Sequence, residues 1–137
     1  MKQALNLPKK IYFKTGSAPV ALRELSDIYH CNRALLITDP KLYLAGVAAP
    51  VVDQLRHQGI RVAEYFTIGE TVSYEDLRGA LPKLNEFQPD VILGVGGENA
   101  LSAAKALLAL YVDSELDLTA AADDSHLIPA CDKAKLV

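Results

Sequence analysis

Along the chain, short apolar runs alternate with longer stretches whose apolar residues recur every three or four positions. Residues 34–38 and 91–95 are unbroken apolar runs, and 60–66 is rich in β-branched and aromatic residues. Such runs read as strands, the unbroken ones as strands buried on both faces. Residues 10–13 read as an earlier strand ahead of a turn at Gly16, and 133–137 as the start of a later one.

Helical periodicity fills the gaps. Ser17 can cap a helix that tolerates Pro19 in its first turn. Val20, Leu22, Leu25 and Ile28 supply its apolar face, and it should end near residues 30–32. Val47, Val51, Val52 and Leu55 mark a second helix, with Gly59 closing it. Tyr74, Leu77, Leu81, Leu84 and Phe87 mark a third, which Pro82 is expected to kink or split. An alanine-rich helix follows at 100–111, and the acidic stretch 113–124 reads as a loop or a weak helix. Strand and helix alternate without any internal repeat. That order predicts a single α/β domain over 1–137, three layers deep, with a mainly parallel sheet.

Composition narrows the function classes. Half of the 137 residues are hydrophobic, 23% are charged and the net charge is −3, which is a globular and not a disordered balance. Mild acidity speaks against a nucleic-acid partner, which selects basic patches. No run approaches the roughly 18 apolar residues of a membrane span, and the first residues lack a secretory apolar core. Cys31 and Cys131 stand alone, outside any C-x-x-C pair. A reduced, cytoplasmic protein is the expectation.

Ligands of open α/β sheets bind beyond the carboxyl ends of the strands, so those ends hold the candidate chemistry. Asp39, after the run 34–38, could accept hydrogen bonds from the hydroxyls of an adenosine ribose. It could equally cap a helix that opens at Pro40, and local sequence favours the cap. Gly96 and Gly97 follow the run 91–95. They let a backbone approach a pyrophosphate at a helix N-terminus. The alternative is a tight turn with Asn99 as N-cap, and the charge of Glu98 opposes a phosphate there. Lys105 could face a cofactor or solvent. His30, His57 and His126 have no spacing that suggests a metal site, and His126 with Cys131 would make only two ligands.

Taken in order, PKKIYFKTGS at 8–17, ALRELS at 21–26, ALLITDPKLY at 34–43 and FQPDVILGVGGENALSAAKALLALY at 87–111 carry a more specific signal. The chain resembles the N-terminal, cofactor-binding domain of the iron-dependent (group III) alcohol dehydrogenases. It is most similar to the alcohol dehydrogenase part of the bifunctional aldehyde–alcohol dehydrogenases, and KAKLV at 133–137 resembles the family's next strand. The resemblance implies a Rossmann-like, dehydroquinate synthase-like N-terminal fold that binds NAD. It implies Asp39 on the adenosine ribose and Gly96 and Gly97 in the family's GGGSxxDxxK pyrophosphate loop. Asn99 takes the place of that motif's serine, Ser102 of its aspartate and Lys105 of its lysine.

The departures are as informative. Glu98 replaces the third glycine, and residues 69–73 replace an EPDPT-like segment. The TTSGTGSE segment is missing, as is the helical domain whose Asp and three His bind iron or zinc, so no metal is expected in this chain. Two functions follow. One is the NAD-binding domain of an iron-type alcohol dehydrogenase, weak in NAD affinity and inactive alone. The other is a degenerate domain that acts through protein contacts, with a full-length homologous subunit or with itself, across an exposed strand or sheet edge.

Overall fold

A computed structural model describes residues 16–65, 74–112 and 135–136. The strand expected at 10–13, the stretch 113–124, residues 69–73, His126 and Cys131 lie outside the described residues. In chain order the elements are α1 (Ala18–Asp27), β1 (Arg33–Ile37), α2 (Pro40–Leu44), α3 (Ala49–His57), β2 (Arg61–Tyr65), α4 (Tyr74–Phe87), β3 (Val91–Gly94), α5 (Glu98–Val112) and β4 (Lys135–Leu136). No helix among them is long and apolar enough to cross a membrane.

The four strands form one sheet in the order β2-β1-β3-β4, with every pairing parallel. β1 is central: Ile37 lies opposite Tyr65 on one side and Gly94 on the other. Its neighbours and the helices above and below leave residues 34–38 at 0–1% exposure. That is why this run carries no alternation of polar and apolar residues.

Side-chain direction alternates along each strand and sorts the core into two layers. Leu35, Ile37 and Ile92 meet Leu77, Ala80 and Leu84 of α4 and Ala103, Ala104, Leu107 and Leu110 of α5. Ala34, Val91 and Leu93 face the opposite way, onto Leu22 and Leu25 of α1 and Leu55 of α3, and Leu36 meets Ala48 and Val52 there. The chain is therefore the three-layer, Rossmann-like α/β fold that the alternating pattern predicts.

Several element bounds differ from the sequence expectation. α4 runs unbroken through Pro82, with no split into two helices. A proline ring inside a helix costs about 3 kcal/mol, but Leu77, Ala80 and Leu84 on either side of it are buried on the sheet, while Pro82 itself is exposed. The stripe on α1 is narrower than predicted, since Leu22 and Leu25 are buried whereas Val20 and Ile28 are 48% and 56% exposed. Val47 lies outside α3, in the bend after the short α2, and is 48% exposed. Ile60 precedes β2, and Val95 follows β3. Gly59 closes α3 as expected: at φ 85 it lets its own N–H reach the Arg56 carbonyl and that of Ile60 reach Leu55.

Polar contacts fix the outer helices. Gln54 donates to the Pro19 carbonyl and Gln58 to the Leu22 carbonyl, tying α3 to α1. The Asp90 carboxylate takes the N–H groups of Asn32 and Arg33 at 2.7 and 2.9 Å, which locks the starts of β1 and β3 together. Among the described residues one buried side chain is left over: Thr38 is fully buried, and its Oγ1 has no hydrogen-bond partner among them. Replacing an unpaired buried hydroxyl by a methyl of the same shape removes its desolvation cost. Thr38→Val is expected to raise stability by about 1 kcal/mol, read as a higher urea midpoint at unchanged m. A lower midpoint would mean that the hydroxyl has a partner.

Candidate dinucleotide crevice

The strand order dictates where a ligand can enter. From β1 the chain moves to one side, to β2, through α2 and α3, whereas from β3 it moves to the other side, to β4, through α5. Parallel crossovers keep one hand, so opposite directions put the two connections on opposite faces of the sheet. The core layers agree, with α3 on one face and α5 on the other. The loops leaving β1 and β3 therefore part from one another at their carboxyl ends. Such a reversal is the usual ligand crevice of an open α/β sheet.

Asp39 stands on one bank. It has extended backbone (φ −84, ψ 157) and its Oδ1 accepts the Leu42 N–H at 2.8 Å, so it is the N-cap of α2. The cap leaves Oδ2 for other use. Gly96 stands on the other bank with φ 144, a conformation that side chains rarely adopt. A Cβ at Gly96 would lie 2.9 Å from Leu42 Cδ1, 3.3 Å from Ala100 Cβ and 3.6 Å from Asp39 Oδ2. A Cβ at the neighbouring Gly97 would meet nothing within 4 Å, so the turn is open there. The structure thus brings Asp39, Gly96 and Gly97 together, although 56 residues of chain lie between Asp39 and Gly96.

The helix behind the turn starts earlier than its sequence suggests. α5 opens at Glu98, and the Gly97 carbonyl accepts the Leu101 N–H at 3.2 Å. Asn99 is therefore inside the first turn of α5 and is not its N-cap. Ser102 and Lys105 follow on the exposed side of the same helix. At 1.5 Å per residue Lys105 begins roughly 10 Å along the axis from the turn, so the fold does not gather it with the glycines.

Two contributors escaped the sequence reading. A Cβ on Gly94 would meet Leu101 Cδ2 at 3.1 Å, Ala104 Cβ at 3.3 Å and the Ala100 carbonyl at 3.4 Å. Gly94 therefore lets α5 lie close on β3. The signal was present, in a third glycine before the pair and in alanines at 100 and 104. Leu42, by contrast, has no local signal, because its role is to touch Gly96.

Behind the Asp39 bank, Tyr43 of α2 reaches Glu64 of β2. The hydrogen bond to Glu64, and then the carboxylate's charge, hold the Tyr43 hydroxyl above its ordinary pKa of 10.0, and Arg56 opposes this. Arg56 pairs with Glu64 at 3.9 Å. His30 and His57 are exposed at helix ends. Among the described residues, no group of three or more His, Cys, Asp or Glu could hold a metal ion. A depression lined by Arg33, Asn85, Gln88, Pro89, Asp90 and Tyr111 lies at the opposite end of the sheet. There the Asp90 carboxylate and the Arg33 Nε–H, which donates to the Gln88 carbonyl, serve the fold itself.

The cap predicts a separation of roles at Asp39. Asn caps a helix as well as Asp does, whereas Ala does not. Asp39→Ala is expected to lose about 1 kcal/mol, and Asp39→Asn only a few tenths, in thermal or urea denaturation. Equal losses in the two variants would show that the charge, and not the cap, is what stabilises α2.

Comparison with known proteins agrees with this architecture. The family model for iron-containing alcohol dehydrogenase matches residues 8–136. The chain is 35% identical to the bifunctional aldehyde-alcohol dehydrogenase of Escherichia coli (strain K12) over 109 residues, which is 80% of this chain and 12% of that protein. Among solved structures, the NADH-dependent butanol dehydrogenase A of Thermotoga maritima superposes with a TM-score of 0.68 at 25% identity, covering 79% of this chain and 27% of that one. The iron-containing alcohol dehydrogenase of Thermococcus thioreducens gives 0.67 at 26% identity, covering 74% and 26%. The chain thus spans about an eighth of the bifunctional relative and about a quarter of the solved ones. With the family model matching residues 8–136, nearly its whole length, the chain belongs to the iron-containing alcohol dehydrogenase family.

Proposed function

We propose that this chain is the NAD-binding part of an oxidoreductase that interconverts alcohols and aldehydes. The observation that carries the reading is the approach of Asp39 Oδ2 to Gly96 across the crevice. A dinucleotide needs both an acceptor for its ribose hydroxyls and a bare backbone for its pyrophosphate. Asp39 would accept the hydroxyls while its other oxygen stays on the Leu42 N–H, and its charge would repel the 2′-phosphate of NADP. Gly96 and Gly97 would let the pyrophosphate approach the start of α5, with Asn99 and Ser102 in its first turns and Lys105 farther along. NAD, when bound, supplies the hydride-accepting ring.

Glu98 weakens the site. It adds a formal negative charge at the first residue of α5, beside the expected pyrophosphate. At the ~4–6 Å expected between such groups and an effective dielectric of about 20, the repulsion is at most of order 3 kcal/mol. That is roughly a hundredfold in affinity. Calorimetric titration with NAD is expected to show weak binding, tightened by Glu98→Gly and weakened by Asp39→Ala. If neither substitution changes the affinity, the cofactor assignment fails and the protein-contact reading replaces it.

That second reading gains little from the described sheet edge. The Tyr65 carbonyl accepts the Thr38 N–H, so the alternate carbonyl of Glu64 points away from the sheet, where Lys83 Nζ donates to it at 2.6 Å. A helix side chain that takes an outward carbonyl covers part of the edge and discourages the pairing of another strand.

Turnover needs more than these residues. Hydride transfer requires a Lewis acid or proton donor on the substrate oxygen, and the described residues gather no three-ligand cluster. The 137-residue chain alone, given NAD and iron(II) or zinc(II), is expected to leave ethanol and butanol unoxidised in an NADH absorbance assay. Metal-dependent NADH formation by the purified chain would overturn this.

A further inference from the structure

Leu42 touches both banks of the crevice. Its backbone N–H holds Asp39 Oδ1 at 2.8 Å. Its side chain stands over Gly96, where the Cβ position is 2.9 Å from Leu42 Cδ1. Leu42 thus combines a hydrogen bond to the Asp39 carboxylate with packing on the Gly96 turn. Leu42 is half-buried, in a helix of only five residues, so the body of the core does not depend on it.

We propose that Leu42 is a positioning residue that sets the separation between the Asp39 carboxylate and the glycine turn. It thereby decides whether one ligand can engage both banks at once. The proposal rests on the dinucleotide reading and adds to it the residue that couples the two half-sites. A carboxylate without a hydrogen bond can swing, and a glycine at φ 144 has no side chain of its own to restrain it. The Leu42 side chain removes that freedom from the turn while its N–H removes it from the carboxylate. A ligand that bridges both gains from their fixed spacing, whereas a ligand that uses one bank does not.

Adenosine diphosphate ribose bridges the banks, with an adenosine ribose for Asp39 and a pyrophosphate for the turn. Adenosine reaches only the first. The test titrates the full chain, Leu42→Ala and Leu42→Met with both compounds, adenosine being followed by NMR shifts of the chain in the millimolar range. Leu42→Ala is expected to bind adenosine diphosphate ribose about tenfold more weakly and adenosine within about twofold of the parent chain. Leu42→Met, which keeps the bulk, restores the bridging ligand.

A second measurement needs no ligand. Gly96→Ala places a methyl group against Leu42 Cδ1. It should lower Tm more in the parent chain than in Leu42→Ala, where that atom is gone. The proposal is overturned if Leu42→Ala leaves the bridging ligand unchanged or weakens both compounds equally. It is also overturned if Gly96→Ala costs the same in both backgrounds. A parent chain that binds neither compound refutes the dinucleotide reading and this proposal with it. A parent chain that binds while Leu42→Ala binds equally well refutes this proposal alone.

Discussion

Everything in this fold hangs on the burial of β1 between two parallel neighbours. Residues 34–38 lie at 0–1% exposure, hydrogen-bonded to β2 on one side and β3 on the other. Parallel neighbours cannot be joined by a hairpin, so each connection must return over a face of the sheet as a helix. With β2 and β3 on opposite sides of β1, the fixed hand of those returns separates the two sets of helices. The three layers and the crevice beyond the strand ends are consequences of that one placement.

At the crevice one residue caps a helix and keeps a second oxygen uncommitted to that cap. Asp39 satisfies the exposed N–H of Leu42 and so starts α2. The same bond turns the carboxylate, leaving its second oxygen beside the glycine turn. The cap and ribose readings of Asp39, which compete in sequence, are therefore compatible in space. A carboxylate has two oxygens, and the cap uses only one of them.

The glycine turn combines features of different origin. Gly94 and Gly96 are confined by neighbouring atoms, and both confinements arise from α5 or α2 lying close by. Gly97 is not confined, so its openness is available to a ligand. Glu98 follows directly as the first residue of α5.

The strands at 34–38 and 91–95 were legible in the sequence because a strand buried on both faces has no polar alternation to obscure it. The helical stripes of α3 and α4 were legible for the complementary reason, as each packs one face on the sheet. Asp39 and the glycine pair could be named because turns after strands restrict residue type locally. Other features depended on contacts between distant segments. Pro82 stays inside α4 because the sheet holds the helix on both sides of it. Val20 and Ile28 remain exposed because only Leu22 and Leu25 of α1 meet the core. The start of α5 at Glu98, and not at Ala100, follows from the Gly97 carbonyl bond to Leu101. The sequence by itself determined which segments become strands and helices, because burial and local backbone preference are written at each position. Tertiary structure alone decided that Leu42, Asp39 and Gly96 meet, because that contact exists only once two strands far apart in the chain lie beside each other.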